Sequence, residues 1–119
     1  MSKILIAEDE AAVRAFVERA LRHRGHETVT VEDGLAAVAV LRKETFDLLL
    51  TDIAMPGLDG IGLALKASKD YPDMKILMMT GYAAERQRAH NLEALIHRVI
   101  EKPFTLEQIC EAVAAALSA

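Results

Sequence analysis

Leu48-Leu49-Leu50-Thr51-Asp52 is an apolar run closed by an acid, and three other stretches of the chain end in a similar way. Ile4-Leu5-Ile6-Ala7 runs into Glu8-Asp9, Ile76-Leu77-Met78-Met79 into Thr80, and Val99-Ile100-Glu101 into Lys102. Short apolar runs separated by stretches of helical spacing read as strands buried on both faces of a parallel sheet. Chemistry in such sheets gathers at the carboxyl ends of the strands. Three acids, a hydroxyl and a lysine are therefore expected at one edge of one sheet.

The rest of the chain alternates strand and helix around this run. Lys3–Ala7 reads as a strand, and Glu10–Arg24 as a helix with apolar residues at Val13, Phe16, Val17, Ala20 and Leu21, stopped by Gly25. Glu27–Val31 alternates and is rich in β-branched residues, as a half-buried edge strand would be. Asp33 is a cap for a helix over Gly34–Glu44 with Leu35, Val38 and Leu41 facing inward. Asp47–Thr51 is the most apolar strand and should be central. Met55–Gly60 reads as a loop, Ile61–Lys69 as a helix, Lys75–Met79 as a strand and Ala83–Leu92 as a polar helix. Arg98–Glu101 is a short strand, and Thr105 caps a final helix over Leu106–Leu117. Five strands and five helices in alternation predict one α/β domain, a doubly wound parallel sheet covered on both faces.

Composition narrows the function. The chain has 119 residues, 52% apolar and 27% charged, enough for one well-packed core. Its apolar runs are too short to span a membrane, and Met1-Ser2-Lys3 leads straight into a strand, so a cytoplasmic protein is expected. A net charge of −4, with no basic stripe and no Trp, argues against nucleic acid as a partner. The single Cys110 falls in an apolar helical pattern and reads as a buried structural thiol. His23, His26, His90 and His97 show no grouping that suggests a metal site. Met74, Met78 and Met79 read as core residues.

A carboxylate can attack a phosphoryl group, provided that something brings negative oxygens up to a negative nucleophile. Mg²⁺ does this, and it favours one or two carboxylates, a carbonyl and water. Glu8 and Asp9 beside Asp52 supply such ligands, Lys102 a positive charge and Thr80 a hydroxyl donor, while Gly81 leaves space. Each residue has a plainer reading. An acidic pair can cap the next helix, a lone Asp or Lys-Pro can sit in a turn, and a Thr at a strand end is ordinary. All of these would have to hold at four strand ends together.

Over its whole length the chain resembles the receiver domains of two-component response regulators. The matching residues are Glu8-Asp9, Asp52 with Ile53-Ala54-Met55-Pro56-Gly57-Leu58-Asp59-Gly60, Thr80-Gly81 and Lys102-Pro103-Phe104. The resemblance implies a flavodoxin-like (βα)5 fold with strand order 2-1-3-4-5. It implies that Asp52 is the phosphoacceptor and that Mg²⁺ binds Glu8, Asp9, Asp52 and the backbone carbonyl of Ala54. Thr80 and Lys102 would contact the phosphoryl group. The donor would be a histidine kinase or a histidine phosphotransferase, and the domain would phosphorylate and dephosphorylate itself rather than act as an enzyme on others.

One departure stands out. The family's usual aromatic, three residues before the lysine, is Val99 here. The common coupling of the threonine to that aromatic therefore cannot operate as such. Tyr82, in Met79-Thr80-Gly81-Tyr82, is a candidate replacement, the other reading being an exposed loop tyrosine. Tyr82 and Ala54 also flank the approach of a hydrolytic water and are expected to tune the lifetime of the acyl phosphate.

The chain is expected to be a single receiver domain over 1–119 without an effector domain, most similar to the CpdR-type single-domain regulators. That resemblance implies a phosphorylation-controlled adaptor for an ATP-dependent protease in an alphaproteobacterial cell-cycle phosphorelay. Its output surface would combine Ala83–Leu92, Arg98–Glu101 and Leu106–Leu117. A phosphate sink or shuttle is the alternative. A phosphatase would want a second Asp at the position of Ala54, and a degenerate receiver would have lost one of the key residues.

Overall fold

A computed structural model describes residues 2–81 and 98–119, with the side chain of Arg98 excepted. The expected helix Ala83–Leu92, with Arg86, Arg88 and His90, lies outside the described residues, as do Tyr82 and His97. Five parallel strands, β1 (Lys3–Ala7), β2 (Glu27–Val31), β3 (Leu48–Asp52), β4 (Lys75–Thr80) and β5 (Arg98–Glu101), form one sheet in the order β2-β1-β3-β4-β5. Helices α1 (Ala11–His23), α2 (Gly34–Leu41), α3 (Gly60–Asp70) and α4 (Leu106–Ser118) are described with them. This is the doubly wound α/β architecture expected from the sequence, with β3 central as its apolar run required.

Strands β1, β3, β4 and β5 each serve two cores. Leu5, Ala7, Leu49, Ile76 and Met78 face α2 and α3, with Val99 half-buried against the same cluster. Ile4, Ile6, Leu48, Leu50, Leu77, Met79 and Ile100 face α1 and α4. With both faces covered, alternation disappears and the strands read as continuous apolar runs. Burying each large side chain contributes roughly 1.5–3 kcal/mol before entropy is subtracted, so the central strands dominate the stability. Register brings Ile4 beside Leu48 and Leu50 beside Leu77, which aligns the polar strand ends along one edge.

The helix ends follow local chemistry. Asp33 Oδ1 accepts the Ala36 amide at 2.8 Å, and Thr105 and Gln108 exchange bonds in a capping box that starts α4. The stretch Met55–Gly60, read as a loop, ends in a cap that the sequence reading missed. Asp59 Oδ1 accepts the Gly62 amide at 2.9 Å and starts α3. Leu35, expected to face inward, is 66% exposed, whereas Leu41 is buried. The helix GLAAVAVL is apolar on every side, so its sequence carries no stripe to orient it.

Cys110 is buried, its thiol donating to the Ala20 carbonyl, and burial pushes its pKa up. Met74, Met78 and Met79 are buried as expected. Among the described residues, no helix is long and apolar enough to cross a membrane.

Candidate functional site at the carboxyl edge of the sheet

Glu8 follows β1, Asp52 ends β3, Thr80 ends β4 and Lys102 follows β5. The topology thus delivers the sequence-predicted residues to one edge. Glu8, Asp52 and Thr80 are buried, whereas Asp9 is exposed. One carboxylate oxygen from each of Glu8, Asp9 and Asp52 lies within 4.8 Å of the other two. Lys102 Nζ bridges two of them, 2.8 Å from Glu8 Oε1 and 2.9 Å from Asp52 Oδ1. The Lys102 amide also donates to the Thr80 carbonyl at 2.8 Å, tying the turn after β5 to the end of β4.

Charge explains the tension in this cluster. Burial pushes the Glu8 carboxyl above the ordinary carboxylate range; Lys102 and the Glu10 amide oppose the rise, and the charge of Asp52 adds to it. Burial works against the charge on Lys102, but its bonds to Glu8 and Asp52 outweigh it, and the pKa is raised. One ammonium is shared by two buried carboxylates, with a third acid beside them. Such an all-oxygen donor set suits a hard divalent cation.

The backbone around Asp52 is held by close fits. Thr51 Oγ1 donates to the Asp52 carbonyl at 2.9 Å, and the Gly60 amide donates to the Ile53 carbonyl at 2.9 Å. A Cβ on Gly60 would fall 2.0 Å from the Asp52 oxygen, so only glycine lets α3 start here. Gly57, with φ of +73°, turns the intervening loop.

A cleft of about 550 Å³ opens onto Asp52 and Lys102. Ala54 and Gly81 line it on one side, and Val13, Phe16 and Phe104 line its apolar part. The rings of Phe16 and Phe104 lie 6.3 Å apart, tilted by 35°, so α1 packs against the turn that carries Lys102. Sequence reasoning missed this pair, although both are aromatic residues in otherwise aliphatic surroundings.

It also missed two contacts at Glu8. Its Oε2 accepts the Glu10 amide at 3.1 Å, and its carbonyl accepts from Arg14 Nη1 at 2.8 Å. The helix-capping reading of the acidic pair is not realised, since the N-cap of α1 is Glu10, which makes no side-chain cap bond, and Glu8 holds only the Glu10 amide. The same carboxylate serves the cluster with its other oxygen.

The family model for the response regulator receiver domain matches residues 4–114. The chain belongs to the response regulator receiver family. It is 39% identical over 109 residues to the response regulator receiver protein CpdR of Brucella abortus, covering 92% of this chain and 91% of that one. It is 36% identical to the chemotaxis protein CheY-3 of Vibrio cholerae, covering 92% of this chain and 86% of that one. The response regulator TrrA of Thermotoga maritima, solved in complex with Mg²⁺-BeF, superposes with a TM-score of 0.89 at 28% identity, covering 98% of this receiver and 99% of that chain. This receiver thus has the fold and the family expected from its strand-end residues.

Proposed function

We propose that this receiver accepts a phosphoryl group on Asp52 and acts as a phosphorylation-controlled protein-binding switch. The observation that carries the reading is the Lys102 ammonium, shared between Glu8 and Asp52 inside a three-carboxylate cluster that opens to a cleft. An ammonium at that point is placed to meet phosphoryl oxygens once Asp52 is phosphorylated.

In the transfer, an Asp52 carboxylate oxygen attacks the phosphorus of a phosphohistidine on a histidine kinase or phosphotransferase. The P–O bond forms as the P–N bond breaks, and the departing imidazole takes a proton from solvent. Glu8, Asp9, Asp52 and the Ala54 carbonyl would hold Mg²⁺, which supplies the positive charge that lets two anions approach. Lys102 gives up its bond to Asp52 Oδ1 and turns to the phosphoryl oxygens. Thr80 supplies a hydroxyl from the end of β4, and its backbone link to Lys102 makes the two respond together. In this reading Tyr82 is the candidate relay outward, because Val99 is aliphatic and packs into the core.

The output is a protein target that docks on a surface including β5 and α4. An ATP-dependent protease is the target class that the CpdR-type resemblance favours, and the cytoplasm is the expected site of action. No nucleic acid or membrane enters this scheme, and the domain turns over only its own acyl phosphate.

The reading is tested by comparing amide NMR shifts with Mg²⁺ alone and with Mg²⁺ plus beryllofluoride. A switch gives changes that spread from the carboxyl edge into β5 and α4. Changes confined to the loops around Asp52 would favour a phosphate sink or shuttle instead.

A further inference from the structure

Glu8 and Asp9 are neighbours in the chain, yet one is buried and the other exposed. Their relative direction depends on the peptide that joins them, whose oxygen is the Glu8 carbonyl. That oxygen accepts from Arg14 Nη1 at 2.8 Å. The Glu8 carboxylate is held separately, by Lys102 and by the Glu10 amide, and its own amide donates to the Val31 carbonyl at 3.1 Å. Among the described residues, the Asp9 carboxylate makes no hydrogen bond or ion pair, so its direction is left to the backbone.

Arg14 has a second partner, but a weak one. Its Nη2 lies 3.8 Å from Glu32 Oε1, and that glutamate side chain is 78% exposed. A long pair in water contributes little. The Arg14 side chain itself is only 20% exposed, and its short bond goes to Glu8. The guanidinium is therefore placed to hold the Glu8–Asp9 peptide rather than to decorate the surface.

We propose that Arg14 is a positioning residue for divalent-cation binding. By fixing the rotation of the peptide between Glu8 and Asp9, it keeps the two acids at the spacing that the cation needs. Groups that orient ligands from behind typically change metal affinity by about 10–100-fold when removed. The inference rests on the proposed Mg²⁺-dependent phosphorylation at Asp52, but its test can be read without that reaction.

The test is a Mg²⁺ titration of the unphosphorylated protein by NMR, with circular dichroism as a check on folding. It compares wild type, Arg14→Ala, Arg14→Lys and Glu32→Ala. Arg14→Ala is expected to raise the Mg²⁺ dissociation constant about tenfold or more, Arg14→Lys to recover part of the loss, and Glu32→Ala to match wild type. If Arg14→Ala does not fold, the Lys variant decides, because a shorter side chain without the planar guanidinium should still weaken binding. A dissociation constant within twofold of wild type in the folded Arg14 variants would overturn the proposal, as would an equal loss in Glu32→Ala.

Phosphorylation by acetyl phosphate, followed by intact mass on the same samples, separates the two claims. A wild type that binds Mg²⁺ but takes no phosphate defeats the phosphoacceptor reading, and the titration still decides on Arg14. A wild type that binds no Mg²⁺ defeats both.

Discussion

Lys102 reaches past β4 to place its Nζ 2.9 Å from Asp52 Oδ1, although the two residues belong to strand ends that are not neighbours in the sheet. The same nitrogen holds the fully buried Glu8. The lysine therefore serves as a resident counter-ion for carboxylates that have been withdrawn from water. Two buried carboxylates thus share one positive charge, that of a partly exposed lysine.

Replacing Lys102 by Met should remove the positive charge that Glu8 and Asp52 share and let the two buried carboxylates repel each other. Removing one partner of a buried ion pair costs about 3–5 kcal/mol, and the partial exposure of Lys102 brings the expected loss to roughly 2–3 kcal/mol. Mg²⁺ should then stabilise the variant more than it stabilises wild type, since the cation replaces the missing charge. Thermal unfolding with and without millimolar Mg²⁺ measures both effects. Equal Mg²⁺ responses in the two proteins would count against the counter-ion role.

Gly60→Ala forces a methyl group to within 2.0 Å of the Asp52 carbonyl unless the loop moves. Overpacking of this kind costs about 1–3 kcal/mol, and the displaced backbone is the one that presents Asp52 and Ala54. Chemical denaturation should show the loss, and acetyl phosphate labelling should slow severalfold. Gly62→Ala is the control, because its nearest obstacle is the flexible end of Leu58. A control as impaired as Gly60→Ala would locate the effect in α3 rather than at the site.

His26 gives a pH dependence remote from this chemistry. Its Nδ1 is buried without a hydrogen-bond partner, and burial lowers its pKa below the ordinary 6.5. Between the folded and unfolded pKa values the unfolded chain binds more protons, so stability rises with pH there. The contribution is intact above about pH 6.5 and is lost as pH falls through the lower, folded value. Urea unfolding from pH 7.5 down to pH 5.5 should show a decline that His26→Gln flattens. The same slope in the variant would assign the decline to other groups.

The sheet was legible because its strands are buried on both faces, which turns each into an uninterrupted apolar run, and because polar residues close four of those runs. The edge strand Glu27–Val31 was legible from its alternating, β-branched residues, although its burial does not alternate, since Thr28 is buried and Val29, Thr30 and Val31 are half-buried. Leu35 was misread because α2 is apolar all round, so burial there is decided by packing against α3 and not by a stripe. Asp59 was hidden by the Pro and Gly around it, which mark a turn without saying where the next helix starts. The contact from Arg14 to the Glu8 carbonyl left no trace, because a backbone acceptor has no residue type. Candidate site residues at strand ends can be read from spacing, while the groups that hold them by the main chain need coordinates.

The most direct test of the central claim is the mass of the intact protein after incubation with Mg²⁺ and acetyl phosphate or phosphoramidate. Wild type should gain one phosphoryl group, and Asp52→Ala should gain none. A wild type that stays unmodified under saturating donor, or an Asp52→Ala variant labelled to the same extent, would contradict the account.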